Sequence, residues 1–166
     1  MAIFPIRTFG DPVLRTPAKP VDEIEDKIRK LIDDMVETMY DAPGVGLAAP
    51  QIGVGLRVAV FDAGDGAGAR TMINPEVIES AGEWEFEEGC LSVPGYWWEI
   101  VRPAFVRIRA LDGKGEEVVY EGEELMGRVL QHEYQHLDGT LLIDQLGRRE
   151  RKKALKELSE KALGMA

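Results

Sequence analysis

Two histidines stand four residues apart, and they are the only two in the chain. They fall in His132-Glu133-Tyr134-Gln135-His136, a sequence of the form H-E-x-x-H. On a helix, positions i and i+4 share a face, so both imidazoles can reach one ion. The glutamate beside the first ligand can then serve a coordinated water as general base. The pattern predicts a metal-dependent hydrolase. An accidental pair of surface or core histidines is the weaker reading, because the chain holds no others from which to draw such a pair.

Two imidazoles do not complete a catalytic site, which usually has three protein ligands and an open position. No histidine follows His136, but Asp138, Asp144 and Glu150 do, so spacing alone leaves open a peptidase site completed by a carboxylate. Cys90, the single cysteine, is the other candidate. It sits in Glu88-Gly89-Cys90-Leu91-Ser92-Val93-Pro94-Gly95. A thiolate binds divalent ions strongly, and a nearby cation favours that form. Cys90 could instead be a small buried apolar residue; a nucleophile paired with a histidine is the weaker alternative, because both histidines are better used on the metal.

These residues need elements to position them. Apolar residues at Ile24, Ile28, Leu31, Ile32, Met35, Val36 and Met39 form one stripe of an amphipathic helix. Asp22 with Glu25 reads as its capping box, and the helix should end near Tyr40. Before it, Pro5, Pro12, Pro17 and Pro20 predict an extended arm. Residues 44–55, with four glycines and Pro50, read as a shaped loop. Strands are expected at 56–61, at 71–78 with an interruption at Asn74-Pro75, at 83–87 and at 105–111. Asp112-Gly113 then turns into a partner strand at 116–120.

A helix over 123–137 carries the histidines and ends at Asp138-Gly139, and a last helix covers 148–163. The expected fold is α+β: antiparallel strands around a central helix bearing H-E-x-x-H, with an N-terminal and a C-terminal helix. Residues 1–147 form the catalytic part, and 148–166 form a basic amphipathic helix within the same domain.

Length and composition set the bounds. The chain has 166 residues, 45% hydrophobic and 30% charged, as one globular domain requires. No run approaches the ~18 apolar residues of a membrane span. Met1 to Arg7 has neither a secretory nor a transit-peptide pattern, and one cysteine permits no internal disulfide. The protein is expected to be soluble and cytoplasmic. A net charge of -10 argues against DNA as a partner. The stretch from Arg148 onward runs against that balance, with Arg148, Arg149, Arg151, Lys152, Lys153, Lys156 and Lys161 against Glu150, Glu157 and Glu160.

The chain resembles the peptide deformylases. Three segments in order carry the resemblance: Gly44-Val45-Gly46-Leu47-Ala48-Ala49-Pro50-Gln51, then Glu88-Gly89-Cys90-Leu91-Ser92, then Gln131-His132-Glu133-Tyr134-Gln135-His136. With the opening Ile6-Arg7 and Gly10-Asp11-Pro12-Val13-Leu14 they span nearly the whole chain. The resemblance implies that Cys90, His132 and His136 bind the metal and that Glu133 is the acid/base. It implies hydrolysis of N-formyl-methionyl peptides to formate and a free amino terminus. The side-chain amide of Gln51 and the backbone N–H of Leu91 would stabilise the oxyanion. Val45, Gly46 and Gly89 would line the cleft, holding the peptide by strand-like hydrogen bonds. Leu125 and Val129, seven residues before the two histidines, could wall the methionine pocket or simply pack in the core.

One thiolate and two imidazoles read by general rule as zinc. The resemblance implies Fe(II), with zinc, nickel or cobalt able to substitute. It also implies that the basic last helix can dock on the ribosome. Two positions depart from the family pattern. Gln135 stands where an aspartate is usual, and Trp97, flanked by Tyr96 and Trp98, stands where many members have an arginine. Two other readings of the site are an H-E-x-x-H zinc endopeptidase, which would not need Cys90, and a non-catalytic metal-binding module with a closed coordination shell.

Overall fold

The computed structural model describes residues 2–164. Met1, Met165 and Ala166, at the outer bounds of the two expected parts, lie outside the described residues. The fold is α+β, with antiparallel sheets and, among the described residues, three α-helices. The larger sheet has the order β1 (Gly46–Ala48), β2 (Val58–Phe61), β3 (Arg70–Ala81), β6 (Phe105–Leu111), β7 (Glu117–Glu123). The smaller pairs β4 (Trp84–Gly89) with β5 (Trp97–Arg102). The helices are α1 (Asp26–Asp41), α2 (Glu124–Leu137) and α3 (Arg148–Ala162).

Strand β2 explains the layering. Its four residues are all buried, without the alternation of a half-exposed strand, because a helix covers each face. Val58 and Val60 pack with Met35 and Met39 of α1. Ala59 and Phe61 pack with Val129 and Leu130 of α2. Strand β6 is half-covered and alternates as expected, with Val106, Ile108 and Ala110 inward and Arg109 outward. A third apolar cluster joins Leu14 and Val93 to Ile100 of β5, to Leu141 to Ile143, and to Ala154 and Leu158 of α3. Leu163 stays 75% exposed. No helix of the described chain is long and apolar enough to cross a membrane.

Four local expectations need correction. The first concerns the start of α1, which is Asp26 rather than Asp22, with Glu25 at its N-cap making no side-chain cap bond. The preceding chain is held extended instead, because the Val21 N–H donates to Asn74 Oδ1 at 2.8 Å and Asn74 Nδ2 donates to the Val21 carbonyl at 2.9 Å. The second concerns Asn74-Pro75, which bends β3 without ending it. Asn74 adopts φ 51° at a register shift, so the strand absorbs the proline as a bulge. Thirdly, the glycine-rich stretch contains β1 and a 3₁₀ turn at Ala49–Ile52. Finally, β5 was hidden in sequence because Trp97-Trp98 masks its alternation.

Candidate metal centre

Cys90, His132 and His136 come together, with one ligand atom from each within 4.8 Å of the others. Cys90 follows the end of β4, and both histidines lie on one face of α2. Cys90 Sγ is 3.3 Å from His136 Nε2, which is 3.1 Å from His132 Nε2. Bonds of ordinary length to one tetrahedral ion put two nitrogens ~3.3 Å apart and a sulfur and nitrogen ~3.5 Å apart. Two of the three separations are therefore already close to those that a shared ion imposes. Asp138 and Asp144 are used elsewhere: Asp138 pairs with Arg57, and Asp144 pairs with Arg15 and Arg151.

Of the three candidate ligands, His132 is aimed by its surroundings. His132 Nδ1 lies 3.1 Å from Glu88 Oε1. An ionised carboxylate only accepts, so this nitrogen is the donor and Nε2 turns its lone pair to the cluster. Glu88 is in turn gripped by two arginines. Arg102 reaches it from Nε at 2.6 Å and from Nη2 at 3.0 Å, and Arg128 Nη1 reaches it through a short bond. Arg128 also donates to the Trp84 carbonyl and lies 4.8 Å from the centre of the Trp84 ring. Glu88, Arg102 and Arg128 are buried, and His132 and Trp84 are half-buried. Motif reading picked out neither arginine. The signal available was their charge on strand and helix positions otherwise facing inward.

Glu133 is 4% exposed, and its Oε2 has no hydrogen-bond partner. Gly46 of β1 lies over the same carboxylate: a Cβ there would fall 2.8 Å from Glu133 Oε1, so only glycine allows this approach. Gln51 is 1% exposed rather than a solvated loop amide. Its Oε1 accepts the Ala48 N–H at 2.9 Å, which fixes the amide orientation. Its Nε2 is thereby directed to Ser92 Oγ at 3.1 Å and toward Cys90 Sγ at 3.8 Å. Leu91 follows Cys90 and packs beside Gly44.

The electrostatics favour a cation. Burial alone raises the Cys90 thiol, but His136 and His132 overcome it and bring the group well below its usual range. Burial likewise opposes charge on His132, yet Cys90 and Glu88 push it up to about 10. In Glu88, burial is outweighed by His132 and Arg102, which hold the carboxyl at about 2. Glu133 is raised, chiefly by burial. The cluster thus holds a thiolate against imidazole rings, an arrangement in which a divalent ion takes the place of shared protons.

Comparison with known proteins reaches the same place by another route. Residues 3–152 match the family model described as polypeptide deformylase. The chain belongs to the polypeptide deformylase family. It is 51% identical over 148 residues to a peptide deformylase of Halothermothrix orenii, covering 89% of this chain and 96% of that one. A peptide deformylase of Acidothermus cellulolyticus is 49% identical over 160 residues, covering 96% and 88%. Among solved structures, the Legionella pneumophila peptide deformylase superposes with a TM-score of 0.90 at 47% identity, covering 98% of each chain. That of Ehrlichia chaffeensis in complex with actinonin gives 0.89 at 36% identity, covering 97% and 98%. Family membership makes the chain an enzyme, a metallo-hydrolase.

Within the deformylase fold the remaining expected positions separate. Gly89 lies beneath the indole of Trp97, where a Cβ would fall 2.6 Å from Nε1. Val45 is 48% exposed, and its carbonyl accepts the Asp62 N–H at 2.9 Å. Val129 is buried in the cluster formed by the large sheet and α2. Leu125, one turn earlier, is 47% exposed.

Proposed function

We propose that this site removes the N-terminal formyl group from formyl-methionyl polypeptides and releases formate. The observation that carries the reading is the convergence of Cys90, His132 and His136 beside a buried carboxylate with an unpartnered oxygen, Glu133. Cys90, His132 and His136 would hold a divalent ion, ferrous iron by family resemblance; the donor set also suits zinc, nickel and cobalt. When bound, such an ion supplies a Lewis acid that polarises the formyl oxygen and makes water a stronger acid.

The protein's own groups do the rest. Glu133 takes the proton of the attacking water and returns it to the departing amine. Its burial favours the proton-holding form between these two steps. The Gln51 Nε2 amide and the Leu91 N–H face the developing oxyanion, and one such donor is typically worth about 3 kcal/mol. Val45, Gly46 and Gly89 line the peptide's path; β1 is an edge strand of the large sheet, able to accept an extended chain. Leu125 and Val129 are assigned to the wall against which the methionine side chain rests.

The same reading places the protein in the cytoplasm, with residues 1–147 as its catalytic part. Within residues 148–166, α3 is its ribosome-facing helix. Arg148, Arg149, Lys152, Lys153 and Lys156 are exposed on α3, while Ala154 and Leu158 anchor it. Such a face suits ribosomal RNA.

Formate release from formyl-Met-Ala-Ser by the metal-loaded protein is the test. Glu133→Gln should lose about 10²- to 10⁴-fold in rate while retaining its ion. A metal-loaded wild type that releases no formate overturns the proposal. Cleavage of internal amides instead would favour the endopeptidase reading, and metal retention by Cys90→Ala would count against the thiolate ligand.

A further inference from the structure

Arg102 has one contact that the catalytic reading does not use. Two of its nitrogens grip Glu88, and the third, Nη1, donates to Gln135 Oε1 at 2.6 Å. Gln135 lies on α2 beside His136, whereas Arg102 ends β5. The guanidinium therefore spans from the small sheet to the helix that carries both histidines. It is 2% exposed, so water offers little replacement for either partner.

We propose that Gln135 is a positioning residue for the metal centre, acting through Arg102 and Glu88 on His132. The inference rests on Cys90, His132 and His136 being the ligands. A planar guanidinium held on two edges has one orientation. In that orientation Nε and Nη2 present parallel N–H groups to the Glu88 carboxylate. Glu88 Oε1 is then fixed opposite His132 Nδ1, and the ring can only aim Nε2 at Cys90 and His136. Loss of the Gln135 oxygen frees one edge of Arg102. Arg128, the other cation on Glu88, approaches from the Trp84 side and cannot restore that edge.

The amide in place of the usual aspartate follows from this arrangement. What Arg102 Nη1 needs is an acceptor, and the Gln135 oxygen supplies it. Arg102 already has a carboxylate partner in Glu88. A second negative charge is not required to hold the guanidinium in place.

The test uses cobalt-loaded full-length protein and three substitutions. Gln135→Met keeps the length and removes the acceptor, Gln135→Glu keeps an acceptor, and Gln135→Leu removes the acceptor in a shorter side chain. Cobalt affinity is read against a competing chelator, and ligand geometry from the visible spectrum, including the thiolate-to-cobalt band. Gln135→Met and Gln135→Leu should weaken cobalt binding about 10- to 100-fold and shift that spectrum. Gln135→Glu should stay within a few-fold of wild type and keep its spectrum. On formyl-Met-Ala-Ser the first two should lose kcat with KM nearly unchanged.

Wild-type affinity and spectrum in a folded Gln135→Met would overturn the proposal, even with a lowered melting temperature. If Gln135→Met does not fold, the same result in Gln135→Leu overturns it. A Gln135→Glu variant as impaired as Gln135→Met would also overturn it. The cobalt readouts do not depend on turnover. A wild type that binds cobalt normally but releases no formate would sink the deformylase reading and leave this one standing.

Discussion

The two sheets meet at the metal centre, but they are held in different ways. The large sheet lies between α1 and α2 and is fixed by apolar packing through Met35, Met39, Val58, Phe61, Ile108 and Leu130. It positions α2, and with it His132, Glu133 and His136. The small sheet carries Glu88 and delivers Cys90. Its tie to α2 is largely ionic, through the buried Glu88, Arg102 and Arg128. Packing tolerates changes of charge elsewhere and responds to volume. A buried ion group responds to the loss of any one charge, because the partners remain desolvated. One centre is thus assembled from a half that is robust to pH and a half that is not.

The sharpest way to break this comparison is one substitution in each half. Glu88→Gln leaves Arg102 and Arg128 buried without a counter-charge and should cost about 3–5 kcal/mol. It should also weaken metal binding about 10- to 100-fold, because the single amide oxygen cannot accept from Arg102, Arg128 and His132 together as the carboxylate does. Ile108→Ala removes a fully buried side chain from β6 and should cost about 2–5 kcal/mol. Its metal affinity should stay at the wild-type value. Denaturant unfolding and chelator competition on both variants measure the two quantities. Equal losses of affinity would mean that the halves are not separable.

Acid offers a milder probe of the same division. The Glu88 carboxyl is held at about 2 in the folded protein against an ordinary 4.5. A lowered pKa means that the unfolded chain binds the proton more readily. The stabilisation is therefore complete above about pH 5 and is lost as pH falls toward 2. Its size is on the order of 3 kcal/mol. Unfolding of metal-free protein should show this loss, and Glu88→Gln should remove the part of the slope that Glu88 contributes. The slope should survive unchanged in Ile108→Ala, whose missing side chain does not titrate.

The same contrast decides what was legible in the sequence. Apolar periodicity exposed α1 and the β6–β7 hairpin, because packing writes a regular pattern into the chain. His132, Glu133 and His136 stood out because their residue types are rare and their spacing diagnostic, whereas Cys90 was singled out among its alternatives by family resemblance. The Glu88–Arg102–Arg128–Gln135 group left no such mark. Its members come from β4, β5 and α2, with Glu88 14 residues from Arg102 and 40 from Arg128. A charged residue in sequence looks the same whether it meets water or a buried partner. Strand β1 was obscure for another reason: its glycine serves closeness to Glu133, and glycine otherwise signals a loop. The N-cap of α1 failed because a side chain 53 residues away, Asn74, claimed the backbone of Val21 first.

Trp97 gives the smallest and most local test of the division. It is 62% exposed, and its indole covers Gly89 next to Cys90. On the same outward face of the small sheet stand Glu85, Glu87 and Glu99, so its surroundings are acidic. An indole in such a setting should favour peptides with an aromatic or cationic side chain after the methionine. Trp97→Ala should therefore raise KM for those peptides about 2- to 10-fold relative to formyl-Met-Ala-Ser. Metal affinity and acid unfolding should not change, because the Trp97 side chain lies on the opposite face from Glu88 and Arg102. Steady-state kinetics on a small peptide set can check this. A uniform change across all peptides would place Trp97 with the groups that support the ligands, and the outer face of the small sheet would then share the task now assigned to its inner face.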